Sequence, residues 1–311
     1  MNPIGIKGLV VATVTPMHED GRVNHDRIGP QLDYLAERNI PAVYLLGSTG
    51  EGILLTDEER KQVAESFLEV NAGRMKTFVQ VGHNSWEAAA ALAHHAASIG
   101  ADAISATPPG YFKPESISDL VGGIEQITRA APETPFYYYH IPAFSGVEMD
   151  VVEFTRLAAG RIESFAGMKY SDRGSLHLLP ALREAAPDKE FLSGSDESYL
   201  MTLAQGFEGA VGSTFGYGFP FYENVQKSFE AGRMEEARRW QTRAQKMIDT
   251  FFQTCGRAGI KAMWSMVGID CGPVRSPIPR ASEEQIADMR RRLDAMGFFE
   301  WCTNPVMAEV S

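Results

Sequence analysis

Most of the nine lysines in the chain fall on helical patterns or, like Lys76 and Lys189, just ahead of an apolar run; Lys169 instead ends one, Phe165-Ala166-Gly167-Met168. Its stem starts in a core and its amine emerges at the edge, where desolvation disfavours the ammonium form and favours the free amine that attacks a carbonyl. Schiff-base chemistry follows as an expectation, with a buried salt bridge as the structural alternative. Lys113, the one rival, sits in a loop between Phe112 and Pro114 and is expected to be solvated. Tyr137-Tyr138-Tyr139-His140 closes another apolar run. Strand alternation sends Tyr137 and Tyr139 to one side and Tyr138 to the other. A phenol beside an amine can shuttle protons during imine formation and C–C cleavage; three tyrosines filling a core is the equal alternative.

Three further segments carry polar groups suited to a ligand. In Gly47-Ser48-Thr49-Gly50-Glu51-Gly52, glycines allow close backbone approach, and adjacent hydroxyls with free N–H groups suit a carboxylate. A turn without a ligand would have the same composition. Gly194-Ser195-Asp196-Glu197 offers two carboxylates for sugar hydroxyls, or alternatively a cap for the helix that follows. Gly212-Ser213-Thr214 adds hydroxyls.

Other chemistries lack their usual marks. The chain has no G-x-x-x-x-G-K-[ST], no G-x-G-x-x-G after a strand, no H-E-x-x-H and no G-x-S-x-G. The seven histidines are spread out and the pair His94-His95 falls mid-helix, so no metal is expected. Three scattered cysteines, Cys255, Cys271 and Cys302, form neither a disulfide framework nor a zinc site and read as reduced, structural thiols. With 29 Lys and Arg against 40 Asp and Glu the net charge is −11, which repels nucleic acid and acidic lipid. Apolar runs such as Leu9-Val10-Val11-Ala12 fall short of the roughly 20 residues of a membrane span, and the first residues show no basic segment followed by an apolar stretch. A soluble, cytoplasmic protein acting on a small molecule, without nucleic-acid or membrane partners, is the expectation.

These residues must be positioned by regular elements, and the sequence supplies a regular series. Candidate strands are Leu9–Thr15, Ala42–Leu46, Thr77–Val81, Ala103–Ala106, Phe136–His140, Phe165–Tyr170, Glu190–Ser193 and Ala210–Gly212. Helical patterns at roughly 24–38, 56–72, 85–99, 116–131, 149–159, 175–186, 197–206 and 220–231 alternate with them, some opened by capping signals such as Thr56-Asp57-Glu58-Glu59. Eight such units within about 230 residues fit a closed (β/α)8 TIM barrel better than an open doubly wound sheet. The expected organisation is a catalytic barrel over 1–232 and a C-terminal helical extension over 233–311, including Met234–Cys255 and Glu283–Met296. Chemistry in such barrels sits at the C-terminal ends of the strands, where Lys169, Tyr139 and the three loops above all fall.

Gly47-Ser48-Thr49-Gly50-Glu51, Tyr138-Tyr139-His140-Ile141-Pro142, Gly167-Met168-Lys169 and Gly209-Ala210-Val211-Gly212-Ser213 occur in this order, and from Gly8 to about Phe299 the chain resembles the N-acetylneuraminate lyase and dihydrodipicolinate synthase superfamily of class I aldolases. The resemblance implies that Lys169 forms the imine, that Tyr139 is the general acid/base and that Ser48 and Thr49 hold the pyruvyl carboxylate. It implies a covalent lysine–pyruvate imine and no cofactor. Tyr111, in Gly110-Tyr111-Phe112-Lys113-Pro114, resembles the tyrosine that enters a neighbouring subunit's site and completes a hydroxyl relay with Ser48 and Tyr139, which implies a homo-oligomer, usually a tetramer.

Within the superfamily, Phe144 stands where the synthase branch has an arginine, whereas Ile141–Gly146 and Gly194-Ser195-Asp196-Glu197 resemble the lyase branch. That branch cleaves N-acetylneuraminate to N-acetylmannosamine and pyruvate, and its acidic pair binds the polyol tail. Ser171, Gly194, Asp196, Glu197 and Ser213 are the implied substrate-binding positions. Two departures are visible: Ser171 where the lyases often have threonine, and Phe215-Gly216 for an expected Tyr-Asn that would bear on the pocket floor. Aldol cleavage or dehydration of another 2-keto-3-deoxy sugar acid, or a synthase-like pyruvate condensation, is the second reading. A retired barrel that only binds a keto acid is the non-enzyme reading, against which both Lys169 and Tyr139 are retained.

Overall fold

The computed structural model describes residues 2–302. Eight parallel strands, β1 (Gly8–Ala12), β2 (Ala42–Leu45), β3 (Lys76–Gln80), β4 (Ala103–Ala106), β5 (Phe136–His140), β6 (Phe165–Tyr170), β7 (Glu190–Ser193) and β8 (Gly209–Gly212), pair in sequence order, and β8 closes on β1. The strands are buried on both faces, which is why they read as near-continuous apolar runs. Alternation sorts their side chains. Val10, Tyr44, Phe78, Tyr137, Tyr139 and Val211 fill the barrel interior, while Val11, Val43, Tyr138, Met168 and Tyr170 face the helices.

One local irregularity decides where Lys169 points. Phe136 pairs with Phe165, but Tyr137 pairs with Gly167, so β6 carries one extra residue at this step. Phe165 faces the helices and Ala166 the interior; the extra residue at this step reverses the alternation for the residues that follow Gly167. A Cβ at Gly167 would stand 1.8 Å from the Glu190 carbonyl oxygen. Glycine is therefore obligatory there, and Met168 turns outward and Lys169 inward.

At the opposite end of the barrel Glu190 accepts from the Ile6 N–H and the Tyr137 hydroxyl, each at 2.5 Å, and Tyr137 in turn accepts from the Ile4 N–H at 3.0 Å. Burial pushes both the Glu190 carboxyl and the Tyr137 phenol above their usual ranges. Tyr137 is thus committed to closing the barrel bottom.

The expected helices form, with shifts at their starts. The pattern at 24–38 opens as a 3-10 turn, His25–Arg27, before Ile28–Ala36; 175–186 and 197–206 likewise divide into Arg173–Leu178 plus Leu179–Ala185 and Asp196–Ser198 plus Tyr199–Ala204. Pro180 in the first turn of Leu179–Ala185 fixes φ and lacks the N–H, which suits a helix start and not an interior. Thr56 and Glu59 form a reciprocal capping box on Asp57–Asn71. A single turn, Pro142–Ser145, which the pattern did not foretell, follows β5 and ends at Gly146.

Beyond the barrel, Met234–Cys255, Ala258–Met266 and Glu283–Ala295 bury Met247, Phe251, Trp264 and Leu293 in the same apolar core as the outer faces of the strands. Ala258–Met266 is buried nearly all round and so carries no amphipathic period to read. Residues 303–311, the end of the expected extension, lie outside the described residues. No described helix is long and apolar enough to cross a membrane.

Candidate active site

A cavity of about 760 Å³ opens at the C-terminal end of the strands. Lys169 forms part of its wall, only 5 % exposed. The register places Lys169 beside Tyr139 on β5 and Leu192 on β7. Its Nζ lies 3.9 Å from the centroid of the Tyr139 ring and 4.1 Å from that of Tyr44, and the two rings meet edge to face at 5.7 Å. No carboxylate among the described residues pairs with Lys169, so the salt-bridge alternative is not realised. Tyr139 borders the cavity, while the Tyr44 hydroxyl donates to Ser105 Oγ at 2.9 Å. Burial pushes the Tyr44 phenol well above its usual range, Tyr139 adds in the same direction and the Ser105 hydrogen bond opposes.

Ser48 and Thr49 stand on one side of this amine, half-buried on the cavity wall. The loop that carries them is tightly coiled: Gly52 N–H donates to the Gly47 carbonyl at 3.3 Å, and a Cβ on Gly52 would meet the Leu46 carbonyl oxygen at 1.9 Å. Across the cavity lie Ser171, Gly194, Asp196, Glu197 and Ser213. Ser171 Oγ is buried without a hydrogen-bond partner among the described residues, an orphan hydroxyl on a cavity wall.

Asp196 is not a helix cap: the cap positions at the two helix starts are Ser195 and Ser198, neither of which makes a side-chain capping bond. Instead Asp196 Oδ2 accepts from the Thr214 N–H at 3.0 Å, from Thr214 Oγ1 at 2.8 Å and from Ser213 Oγ at 3.3 Å, which ties the loop after β7 to the loop after β8. Phe215, the departure noted in the sequence, packs on Tyr199 and Tyr222 in the outer layer, away from the cavity lining.

Tyr111 lies apart from these groups. Its ring is 81 % exposed, it stacks edge to face on Phe112, and with Ser48, Ile141 and Phe144 it borders a smaller recess of about 320 Å³. Asn84 Oδ1 accepts from the Gly110 and Tyr111 N–H groups at 3.1 and 3.4 Å and pins this loop.

Two groups at the site escaped the sequence reading. Tyr44 is an aromatic in a strand, a type that reads as core; only its inward parity and place near the end of β2 mark it. Arg257 borders the cavity from beyond the barrel, its guanidinium 4.9 Å from the Phe144 ring centroid and 3.4 Å from the Ser48 carbonyl oxygen. Nothing local in the sequence announces that approach. His140 also lines the cavity, stacked on Tyr170 at 5.2 Å, and burial pushes its pKa down to about 4 against the opposing pull of Asp172. No group of three or more His, Cys, Asp or Glu suited to a metal occurs among the described residues.

A buried amine in a cavity wall, flanked by a phenol, with hydroxyls and carboxylates on the same lining, can form an imine with a keto acid and move protons on it. The family model of the dihydrodipicolinate synthetase family matches residues 5–296, and the chain belongs to that family. It is 38 % identical over 296 residues to the N-acetylneuraminate lyase of Gallus gallus, covering 94 % of this chain and 96 % of the relative. Among solved structures it is similar to the N-acetylneuraminate lyase of Proteus mirabilis, with TM-score 0.91, 31 % identity and coverage of 94 % of this chain and 99 % of that one. A catalytic-lysine mutant of the sialic acid aldolase of Ruminococcus gnavus is also similar, with TM-score 0.87, 27 % identity and coverage of 93 % and 95 %.

Proposed function

We propose that this protein is a class I aldolase that cleaves N-acetylneuraminate to N-acetylmannosamine and pyruvate through an imine on Lys169. The observation that carries the reading is the Lys169 amine held 3.9 Å from the Tyr139 ring on a cavity wall that also presents Ser48 and Thr49. Similarity to curated N-acetylneuraminate lyases over most of the chain supports the substrate, and the catalytic lysine of the Ruminococcus gnavus relative supports a lysine mechanism.

In this mechanism the free amine of Lys169 attacks C2 of the open-chain keto acid, and the Tyr139 phenol gives its proton to the departing C2 hydroxyl, so that water leaves and a protonated imine stands beside a phenolate. Ser48 and Thr49 hold the carboxylate at C1. Tyr139 takes the proton from the C4 hydroxyl, the C3–C4 electron pair moves into the imine, and N-acetylmannosamine leaves. The resulting enamine is protonated at C3 and hydrolysed to pyruvate, freeing the amine. The imine supplies the electron sink, so the chemistry calls on no metal or organic cofactor. Glu197 and Asp196 receive the hydroxylated tail, with Ser171, Gly194 and Ser213 on the same wall.

The assembly in this reading is a homotetramer, in which Tyr111 of one subunit completes a relay with Ser48 and Tyr139 of another. Its support is the exposure of Tyr111 and Phe112 on the rim beside Ser48. A cytoplasmic location is supported by three buried cysteines that are all free.

The test is a split between two measurements on Asp196→Ala. Pyruvate is too short to reach the rim after β7, so borohydride trapping with pyruvate is expected to stay nearly unchanged. Cleavage of N-acetylneuraminate is expected to fall about 10- to 150-fold, the worth of one hydrogen bond to a charged acceptor. Wild-type protein that fails to cleave N-acetylneuraminate yet cleaves a shorter 2-keto-3-deoxy acid would refute the substrate and keep the class.

A further inference from the structure

The loop proposed to hold the carboxylate is strained and is braced from far along the chain. Leu46 and Glu51, which bracket Ser48 and Thr49, both have left-handed backbone, φ 60° and 56°. Neither is glycine, and such conformations persist only where surrounding contacts over-determine them. At Glu51 those contacts are explicit. Its Oε1 lies 2.5 Å from Lys261 Nζ and its Oε2 accepts from the Arg275 N–H at 2.7 Å. Lys261 and Glu51 side chains are only 2 % and 3 % exposed, and Lys261 also donates to the Pro273 carbonyl at 2.9 Å. Neither charge is used in the reaction. A buried ion pair of this kind is weak evidence for stability, because desolvation offsets the attraction, but removing one partner leaves an uncompensated buried charge. Without Lys261 the Glu51 carboxylate has to turn toward water, and the left-handed turn it anchors has to relax with it.

We propose that Lys261 is a positioning residue for substrate binding: through its ion pair with Glu51 it holds the Gly47–Gly52 loop in the form that presents the Ser48 and Thr49 hydroxyls to the carboxylate. The proposal rests on the reading of Ser48 and Thr49 as the carboxylate cradle. It makes the affinity for every keto acid, whatever its tail, depend on a side chain of Ala258–Met266 that does not line the cavity.

The test compares Lys261→Met with wild type by three readouts: the pyruvate concentration giving half-maximal borohydride trapping, KM and kcat for N-acetylneuraminate, and Tm. The half-saturation value and KM are expected to rise together by roughly tenfold, equivalent to ~1.4 kcal/mol, while kcat stays within about threefold. Glu51→Gln, which keeps the acceptor toward Arg275, is expected to shift both in the same direction by less. A lowered Tm with unchanged half-saturation and KM would mark the pair as merely structural and overturn the proposal. If Lys261→Met does not fold, Lys261→Arg, which keeps the charge but displaces it, is expected to raise KM, and an unchanged KM there overturns the proposal equally. Ser48→Ala separates the two levels: unchanged pyruvate half-saturation in that variant refutes the cradle itself, whereas a shift in Ser48→Ala without one in the Lys261 variants refutes the clamp alone.

Discussion

Replacing Lys169 by methionine is expected to abolish chemistry while leaving the fold as stable as before or more so. The buried amine has no carboxylate partner among the described residues and touches the faces of two rings, at 3.9 and 4.1 Å. Two desolvated cation–π contacts contribute together about 1 to 4 kcal/mol when the amine is charged. Against this stands the cost of burying an ion, several kcal/mol after relaxation. Methionine keeps the unbranched stem and gains sulfur–aromatic contacts of ~0.3 to 1.5 kcal/mol with the same rings. The terms nearly cancel, with a remainder of ~1 kcal/mol in favour of the variant, or a rise of about 1 to 2 °C in Tm for a chain of 311 residues. Intact mass after borohydride reduction with pyruvate reads the chemistry, and calorimetry reads the stability. A covalent adduct that persists in Lys169→Met would move the imine to another amine. A Tm lowered by more than ~4 °C would show that the charged amine is a net stabiliser, contrary to the reasoning that the site carries its lysine at the expense of stability.

Tyr139→Phe keeps the ring that packs on Lys169 and on Tyr44 but removes the hydroxyl, so pyruvate trapping is expected to survive while kcat for N-acetylneuraminate falls by roughly 10² to 10⁴; turnover equal to wild type would route the proton through another group. His140 predicts a pH dependence of stability. Its pKa is about 4 in the folded protein against 6.5 for the free side chain, so between these values the unfolded chain binds a proton that the folded one refuses, and stability falls as the pH is lowered through that window. At ~1.4 kcal/mol per unit the loss approaches about 3 kcal/mol. Urea unfolding from pH 7 to 4 is expected to show a shallower loss in His140→Gln than in wild type, and parallel curves would refute the assignment.

What the sequence made legible is what local pattern encodes. Period-two alternation correctly separated Tyr139 from Tyr138, and the rule that barrel chemistry gathers at strand ends pointed to Lys169 and the loops at Ser48, Asp196 and Ser213, which line one cavity. Alternation alone did not explain why Lys169 faces inward. Counted from Phe165, which faces the helices, every second residue would also face them, and Lys169 lies on that count. The bulge at Gly167 reverses the parity, and its only mark in the sequence is a glycine in an apolar run. Asp196 illustrates a different limit, because an acidic residue at a helix start reads equally as a cap or a ligand group, and its actual partners, Ser213 and Thr214, belong to the next strand's loop.

Long-range pairing was beyond reach altogether. Arg257 reaches Ser48, Lys261 reaches Glu51, and Arg275 donates its N–H to Glu51 while its guanidinium binds Glu59 at 2.6 Å and the Leu54 carbonyl at 3.2 Å. Each spans about 200 positions or more, and each ends on the stretch from the loop after β2 to the first turn of the helix that follows it. Burial of a helix on all sides erases the period that would announce it, which is why Ala258–Met266 went unread although it carries one of these anchors. A boundary at 232/233 therefore remains a proposal about the repeat of strand and helix, and the site does not respect it. The loop that faces the substrate carboxylate in the proposed reaction is built from β2 but braced by residues 257–275, so the geometry of binding depends on chain that lies outside the eight repeated units.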